Sequence, residues 1–343
     1  MILVTGGTGL LGSHLLLELV REHEEVVALT RPSSDLEEVK RVFSYYTNEA
    51  EAHFKLIDWV DIDLLNYADV ERVMIDIDQV YHCAGMVSFQ PGDRQRMIEF
   101  NTQCTANMVD ACMAMNVDKM LHVSSSAAIG KAPSGSSATE SMIWAKTKSS
   151  SGYSISKFQS EMEVWRGVEE GLKAVVVNPT IILGPGFWNR GSSSMFKRVA
   201  GGLKYASTGV TGYVGVHDVV SAMTALMDSK ITGERFIVSS GDYSYRQVFE
   251  MIARALDPGA NQGTINLKSV RPPVLRRLSR LDALVGLFGG KRRITSEHVQ
   301  AAFHEAHFSN EKIREATGMT FTPVEQVIEA VAGYYRKDFP LRK

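Results

Sequence analysis

A tyrosine and a lysine, Tyr153 and Lys157, lie four residues apart in a segment of helical periodicity. At that spacing both side chains project from one face of a helix. A free phenol has a pKa of about 10, so it exchanges protons poorly at neutral pH unless a nearby cation stabilises the phenolate. The Lys157 ammonium would be that cation, so the pair predicts a proton-transfer site.

Three hydroxyl side chains precede this pair in the sequence. Ser124, Ser125 and Ser126 directly follow an apolar strand segment, which would place them at the carboxyl edge of a sheet. Alone, such a run would be a polar loop. With Tyr153 and Lys157 downstream, one of the serines could hydrogen-bond a substrate oxygen beside a hydride carrier.

Three glycines near the N-terminus, Gly6, Gly9 and Gly12, have the spacing G-x-x-G-x-x-G. They stand between an apolar strand segment and a helical segment whose leucines share one face. Gly6 would permit a tight turn, Gly9 would let backbone N–H groups approach a pyrophosphate, and Gly12 would let the helix lie close to the strand. An ordinary βα turn could carry the same glycines, but this context favours dinucleotide binding.

The end of the second predicted strand bears on the choice of cofactor. NAD-binding proteins place a carboxylate there for the ribose hydroxyls, whereas this chain has Arg31. An arginine could pair with the 2′-phosphate of NADP and stack on the adenine. We therefore expect NADP to be favoured over NAD. The alternative is that Arg31 is a solvated loop residue.

Short β-branched segments alternate with helical ones along the first half of the chain, which predicts βαβ units and a parallel sheet. The predicted strands are 2–5, 25–30, 55–60, 79–83, 119–124, 174–178 and 236–239. The predicted helices include 10–21, 93–116, 154–170 and 217–227, and a capping box at 34–37 would open another. The expected fold class is α/β, a Rossmann-type doubly wound parallel sheet with a smaller, mainly helical C-terminal substrate-binding region.

Beyond residue 180 the alternation fades, and glycine, serine and proline cluster through 183–194. We predict an NAD(P)-binding domain over residues 1–180, to which 213–240 returns. Residues 181–212 and 241–343 would form the substrate-binding region. Within it, 244–247 and 322–325 have the pattern of capping boxes, the second with proline at the first helical position.

Composition excludes several classes of protein. With 37 basic and 39 acidic residues, the net charge of −2 gives no reason to expect nucleic acid as a partner. Three cysteines without C-x-x-C spacing predict neither a disulfide framework nor a cysteine zinc site. The N-terminal segment lacks a signal-peptide pattern, and no apolar run is long enough to span a membrane, so we expect a cytoplasmic protein.

Two C-terminal patterns are less specific. His304 and His307 could seed a metal site, but they lack the H-E-x-x-H spacing, so a helix surface is the better interpretation and no metal is expected. Residues 271–293 carry seven basic residues and an apolar stripe. That pattern would suit a membrane-surface helix or a subunit contact, although such stripes are more often buried in the fold. We expect no membrane association.

Together these motifs resemble the extended short-chain dehydrogenase/reductase family, also called the NAD(P)-dependent epimerase/dehydratase family, and in particular its dihydroflavonol reductase and 3β-hydroxysteroid dehydrogenase branch. The resemblance covers nearly the whole chain. Tyr153 and Lys157 match the family's catalytic pair, and the spacing back from Gly130 selects Ser125 as the catalytic serine, with Ser126 next. In such enzymes the tyrosine exchanges a proton with the substrate oxygen while hydride moves between the substrate carbon and nicotinamide C4.

The resemblance also implies a set of cofactor contacts and a tendency to form homodimers. Here Ser125 would orient the substrate oxygen, and Lys157 would lower the tyrosine pKa and bind the ribose. The cofactor-binding residues it implies are Gly6, Thr8, Gly9, Leu10, Leu11, Gly12, Arg31, Asp63, Leu64, Cys83, Ala84, Gly85, Asn101, Tyr153, Lys157, Asn178, Pro179 and Thr180.

The branch of the family decides the substrate. Nucleotide-sugar enzymes usually carry an arginine after the Gly-Pro that follows the sixth strand, but here Gly184-Pro185 is followed by Gly186. We expect a reductase or dehydrogenase acting on a small-molecule ketone, aldehyde or secondary alcohol of apolar character. The alternative is an NAD-dependent nucleotide-sugar epimerase or dehydratase. Side chains that would line an apolar pocket, or else pack the interdomain core, are Met86, Phe89, Trp144, Phe187 and Trp188.

Overall fold

The computed structural model describes residues 1–340, apart from residues 24, 134, 148, 149 and 258–266. Between 271 and 301 it describes 272–275, 277, 279, 282, 295 and 299. The basic, amphipathic segment 271–293 therefore lies largely outside the described residues.

Strands and helices alternate along the first half of the described chain. The strands are β1 Ile2–Thr5, β2 Val26–Thr30, β3 Ile57–Asp61, β4 Gln79–His82, β5 Lys119–Val123, β6 Ala174–Pro179, β7 Ile181–Leu183, β8 Tyr205–Ala206, β9 Val210–Gly215, β10 Glu234–Val238, β11 Gly241–Ser244 and β12 Lys268–Ser269. The helices are α1 Leu10–Glu22, α2 Leu36–Ser44, α3 Ala50–Lys55, α4 Tyr67–Arg72, α5 Arg94–Ala114, α6 Gly152–Glu169, α7 Ser194–Ala200, α8 Val216–Asp228, α9 Tyr245–Leu256, α10 Glu311–Thr317 and α11 Val324–Asp338.

Seven parallel strands form the main sheet in the order β10-β6-β5-β4-β1-β2-β3. The order reverses beside β1, which pairs with β2 on one side and with β4 on the other. In open α/β sheets, ligands bind outside the carboxyl ends of the strands at such a reversal. The predicted fold class is confirmed, and the seven predicted strands of this sheet agree with the structure to within two residues at each end.

Each face of the sheet is covered by helices because successive strand residues point to opposite sides. Val4 belongs to the apolar core under α1 and α8, whereas its neighbour Leu3 belongs to the core under α5 and α6. Burying a side chain of this size stabilises the fold by roughly 1.5–3 kcal/mol. Both cores thereby fix the carboxyl edge of the sheet, where the candidate site lies.

The C-terminal part has its own apolar core, formed largely by α7, α9 and α11 with the small sheet β11-β9-β7. β9 leads directly into α8, which packs on the main sheet, and β10 then joins the edge of that sheet beside β6. The chain therefore passes between the two parts more than once.

Two of the three predicted capping boxes are wrong. Asp35, not Ser34, caps α2, because the Ser34 hydroxyl accepts the backbone N–H of Arg31 instead. At α11 the N-cap is Pro323, without a side-chain cap. The hydroxyl and backbone N–H of Thr322 both donate to the Asp218 carboxylate at 3.0 Å, so Asp218 takes the backbone N–H that Glu325 would accept in a capping box. The predicted box at 244–247 is confirmed.

The segment containing His304 and His307 is extended, so its interpretation as a helix surface is wrong. The His304 carbonyl accepts the backbone N–H of Val210, and the backbone N–H of Ala306 donates to the Val210 carbonyl. Pairing with the start of β9 overrides the helical spacing of the two histidines.

No helix within the described ranges is both long enough and apolar enough to cross a membrane.

Candidate active site

Ser125 and Tyr153 are brought together where β5 ends and α6 begins. The Ser151 hydroxyl caps α6 by accepting the backbone N–H of Ser154 at 3.0 Å, which fixes the turn that carries Tyr153. The Ser125 hydroxyl faces the Tyr153 phenol and, by hydrogen bonding, lowers the pKa of that phenol. The Ser125 oxygen also accepts the backbone N–H of Ala127 at 3.2 Å. That bond holds the hydroxyl in place beside the phenol.

The neighbouring Ser124 is engaged elsewhere. Its hydroxyl donates to the Glu161 carboxylate at 2.7 Å in the interior. Of the two serines, the structure therefore places Ser125 against Tyr153, as the family spacing implied.

Lys157 follows Tyr153 by one helical turn, and its side chain is buried. Its Nζ atom donates to the Val123 carbonyl at 2.9 Å. A Cβ atom on Gly85 would lie 3.3 Å from this Nζ, so the missing side chain leaves room for the ammonium beside the loop after β4. Burial lowers the pKa of Lys157 to about 8, while Cys83 and Glu161 oppose the drop.

The Tyr153 phenol is protonated at neutral pH. Burial raises its pKa above the ordinary value, and the hydrogen bond with Ser125 partly offsets that rise. Each of the two hydroxyls has one proton, and the proton that is not used between Ser125 and Tyr153 is available to a substrate oxygen.

Two glycines of the loop between β1 and α1, Gly6 and Gly12, have no space for a side chain. Gly6 has a φ of +70°, and a Cβ there would lie 2.7 Å from the Ala84 backbone nitrogen. A Cβ on Gly12 would overlap the Gly6 carbonyl. Gly9 is the N-cap of α1 and makes no side-chain cap. The helix dipole and backbone N–H groups of this first turn, at Leu10 and Leu11, fit the pyrophosphate of a dinucleotide.

A buried hydrogen-bond chain lies behind this loop. The Ala84 backbone N–H donates to the Thr5 hydroxyl at 3.0 Å, and that hydroxyl meets His82 Nδ1 at 2.8 Å. His82 Nε2 is 3.2 Å from the Thr105 hydroxyl, which itself donates to the Asn101 carbonyl at 2.9 Å. The Thr105 hydroxyl gives its one proton to the Asn101 carbonyl, so its oxygen must accept a proton from His82 Nε2. His82 therefore carries its proton on Nε2. Burial lowers the pKa of His82 to about 3, which keeps it neutral.

The Asn101 amide extends this chain to the loop after β4. It accepts the Met86 backbone N–H at 2.6 Å and donates to the Met86 carbonyl at 2.9 Å and to the Ser156 hydroxyl at 3.1 Å. Because protein groups occupy both ends of the amide, Asn101 positions the loop of residues 84–86 between α5 and α6. Cys83 directly precedes that loop, and burial raises the pKa of its thiol to about 12.

The cavity at the end of β2 contains a carboxylate that sequence reasoning missed. Arg31 and Asp61 line one cavity of about 1220 Å³, together with Asp63. Thr30 donates to Asp61, so this carboxylate stands beside the end of β2, although it belongs to β3. Only the pairing of β2 with β3 reveals it. The Leu64 carbonyl is fixed nearby by the Asn107 amide at 2.8 Å.

Glu161 is a second group that the sequence analysis missed. Its fully buried carboxylate accepts hydrogen bonds from Ser124, from the Asn178 amide at 2.9 Å and from Arg235 at 2.9 Å. The same Asn178 amide donates to the Ser125 carbonyl at 3.0 Å. Glu161 therefore supports the backbone that carries Ser125. Its position one turn beyond Lys157, on the same helix face, was the available signal.

Asn178, Pro179 and Thr180 lie where β6 ends, beside the serine segment. Asn178 is buried behind Ser125, and the Thr180 hydroxyl donates to the Ser239 hydroxyl at 3.2 Å. Their side chains thus connect β6 to β5 and β10.

The five predicted pocket side chains fall into different places. The Phe89 ring lies 6.2 Å from the Tyr153 ring, and Met86 belongs to the loop beside Lys157. Trp144 stacks on Phe158 at 4.3 Å, near the start of α6. By contrast, Trp188 is buried in the C-terminal core. The remaining one, Phe187, is buried beneath Arg190.

A sequence model of the NAD dependent epimerase/dehydratase family matches residues 2–239. The chain belongs to this family. This finding confirms the resemblance drawn from the glycine loop, Tyr153 and Lys157.

The proteins that this chain resembles in sequence or in fold have different names and activities. Over 288 residues, 80% of this chain and 82% of the relative, the chain is 27% identical to sterol demethylase protein B of Methylococcus capsulatus. It is 30% identical to a putative dihydroflavonol 4-reductase of Synechocystis over 53% of this chain and 49% of that protein. The fold is similar to UDP-glucose 4-epimerase from Thermotoga maritima with UDP-glucose, with a TM-score of 0.76, 20% identity, and coverage of 98% and 99%.

Proposed function

We propose that this chain is an NAD(P)-dependent reductase or dehydrogenase for a ketone, an aldehyde or a secondary alcohol of a small apolar substrate. The observation that carries the proposal is the placement of Ser125 beside the Tyr153 phenol, with Lys157 one helical turn away. This group of residues lies at the same sheet edge as the glycine loop. It therefore combines a proton donor with a dinucleotide site.

The chain's own residues would handle the proton. In the direction of reduction, Ser125 donates a hydrogen bond to the carbonyl oxygen and orients it. Tyr153 then transfers its proton to that oxygen, and solvent restores the proton to the phenol. The Lys157 ammonium, one helical turn away, would favour the transient phenolate by charge, although in the resting site burial and Ser125, not Lys157, shift the pKa of the phenol. The nicotinamide, when bound, supplies the hydride to the carbonyl carbon and accepts it in the reverse reaction.

Exposed apolar side chains near Tyr153 support an apolar substrate. Val87 and Phe89 are 60% and 38% exposed, and both belong to the segment that reaches the Tyr153 ring. Ile143 is 88% exposed and precedes Trp144, whose indole donates to Ser154 beside the tyrosine. Large apolar side chains left in water gain about 25 cal/mol per Å² when a ligand covers them.

We also propose that NADP is the preferred cofactor, through Arg31. Its exposed guanidinium lines the cavity at the adenine end of the site. Asp61 on the same cavity would repel a 2′-phosphate and could instead bind a ribose hydroxyl. Arg31 would therefore favour NADP, whereas Asp61 would favour NAD. An Arg31→Ala variant should weaken NADPH far more than NADH, whereas an Asp61→Asn variant should strengthen NADPH. Equal losses for both cofactors in Arg31→Ala would contradict this role.

The reaction is tested with Tyr153→Phe, which removes the phenol and keeps the ring. We expect turnover of aldehydes and ketones to fall at least about a hundredfold, with dinucleotide affinity unchanged. Tyr205→Phe, at a tyrosine that is 56% exposed in β8, is the matched control and should keep full activity. Retained turnover in Tyr153→Phe would refute the proposed role.

The nucleotide-sugar alternative makes a different prediction about the purified protein. An epimerase or dehydratase regenerates its cofactor within each turnover and so can retain NAD tightly. Release and identification of any co-purified dinucleotide distinguishes the two, because a reductase must exchange its cofactor at every turnover.

A further inference from the structure

A strained turn of the chain lies against the glycine loop. Gly186 and Phe187 both have left-handed backbone conformations, with φ of +91° and +54°. Phenylalanine rarely adopts this conformation, and residues held in it cluster at functional sites. The turn is seated on α1, since a Cβ on Gly184 would lie 3.3 Å from the Leu10 side chain.

This turn holds Arg190 in a defined position. The Arg190 guanidinium lies 4.7 Å from the centre of the buried Phe187 ring. It also donates to the carbonyl oxygen of Thr8 at 3.1 Å. The backbone N–H of Arg190 closes the turn on the Phe187 carbonyl at 3.0 Å. The Phe187 ring and the Thr8 carbonyl thus fix the Arg190 side chain beside the glycine loop.

The charge of Arg190 is left available. Neither a carbonyl nor an aromatic ring neutralises a guanidinium, and no carboxylate of the described residues forms an ion pair with it. Arg166 shows the contrast, because it contacts Asp110, Glu163 and Glu170 within 3.1 Å. An exposed arginine that is positioned without an acidic partner is suited to an incoming anion.

We propose that Arg190 binds the pyrophosphate of the dinucleotide at the glycine loop. The positive end of α1 and the Arg190 guanidinium then act on the same diphosphate, and the planar guanidinium can donate two hydrogen bonds to its oxygens. The inference rests on the dinucleotide site of the proposed function and on no step of its reaction. Because NAD and NADP share the pyrophosphate, Arg190 strengthens both, in contrast to Arg31.

Cofactor-free protein is titrated with ADP, NADH and NADPH, and the dissociation constants of wild type, Arg190→Ala and Arg190→Gln are compared. Both variants should weaken all three ligands about tenfold, and the dependence of affinity on salt should become less steep. Glutamine can still donate to the Thr8 carbonyl, so it separates loss of charge from loss of the loop contact. Thermal unfolding of each variant verifies that it is folded.

Arg198→Ala is the matched control. Arg198 lies in α7, the helix that follows the turn, and its guanidinium is 5.9 Å from the centre of the Phe249 ring. This variant should bind all three ligands like wild type. Unchanged ADP affinity in Arg190→Ala, or full recovery of affinity in Arg190→Gln, would overturn the proposal. The measurements need no turnover, so a failed Tyr153→Phe test leaves them interpretable and a failed Arg190 test leaves the reaction standing.

Discussion

Behind the glycine loop, buried polar side chains are joined from Ala84 through His82 to Asn101, whereas the substrate side of Tyr153 presents exposed apolar side chains such as Ile143. The first region is held by directional bonds that leave little freedom. The second is held by few contacts and can be altered without disturbing the fold. Under the proposed function, one half of the site would be preorganised for the dinucleotide, and the other would be open to variation in substrate.

The largest effect should come from Glu161, in the buried polar region. Glu161→Ala leaves Arg235 and the Asn178 amide without their carboxylate, and breaking a buried ion pair costs about 3–5 kcal/mol of unfolding free energy. Glu163→Ala, on the same helix, removes only a partly exposed pair with Arg166 and should cost less than about 1 kcal/mol. Urea unfolding of both variants measures the difference in unfolding free energy. Equal losses in the two variants would contradict the contrast between the buried and the exposed carboxylate.

Lys157 should give this region a distinct pH dependence. Its pKa is about 8 in the folded chain, below its ordinary value of 10.5. Between these values the unfolded chain binds the proton and the folded chain does not, so unfolding free energy rises with pH, by about 1.4 kcal/mol per unit at most. Lys157→Met should lack this rise. Parallel stability curves for wild type and variant over this window would contradict the burial argument.

The glycine loop should tolerate no added methyl group. Gly12→Ala places a Cβ against the Gly6 carbonyl, and we expect a loss of about 1–3 kcal/mol in stability together with weaker dinucleotide binding. Gly92→Ala is the control, because a Cβ there would meet nothing within 4 Å. Thermal unfolding and NADH titration of the two variants provide the test. A Gly12→Ala protein that binds NADH normally would show the loop to be less rigid than its geometry indicates.

The smallest effect on stability should come from the substrate side. Ile143→Ser removes an apolar side chain that is 88% exposed, so unfolding free energy should change by less than about 0.5 kcal/mol. The KM for apolar carbonyl substrates should rise about threefold, while that for NADPH stays constant. A large stability loss, or an effect on NADPH alone, would remove Ile143 from the substrate surface.

Features fixed by local periodicity could be predicted from the sequence. The strands of the main sheet, the glycine loop and the shared face of Tyr153 and Lys157 each depend on neighbours within a few residues. The choice among Ser124, Ser125 and Ser126 was ambiguous, and the place of Ser125 beside Tyr153, with Ser124 bonded to Glu161, favours Ser125 over Ser124.

Features fixed by partners distant in sequence could not be predicted in the same way. Asp61 reaches the adenine end only because β3 pairs with β2, and Glu161 meets Arg235 only because β10 returns to the sheet edge. The neighbours of His82 in β4 predict an ordinary buried strand, so the sequence does not reveal its hydrogen bonds to Thr5 and Thr105. Thr322 has the sequence of a helix cap, yet the carboxylate of Asp218, 104 positions earlier, accepts the backbone N–H that a capping box would use.

The fit of Gly6 against the backbone of Ala84 has a consequence for synthesis of the chain. The first strand, turn and helix leave the ribosome early, but the loop that buttresses them comes from residues about eighty positions later. Until that later segment has paired with β1, the turn lacks the Ala84 backbone against which Gly6 packs. We therefore expect a nascent N-terminal fragment to bind a dinucleotide less tightly than the assembled sheet does.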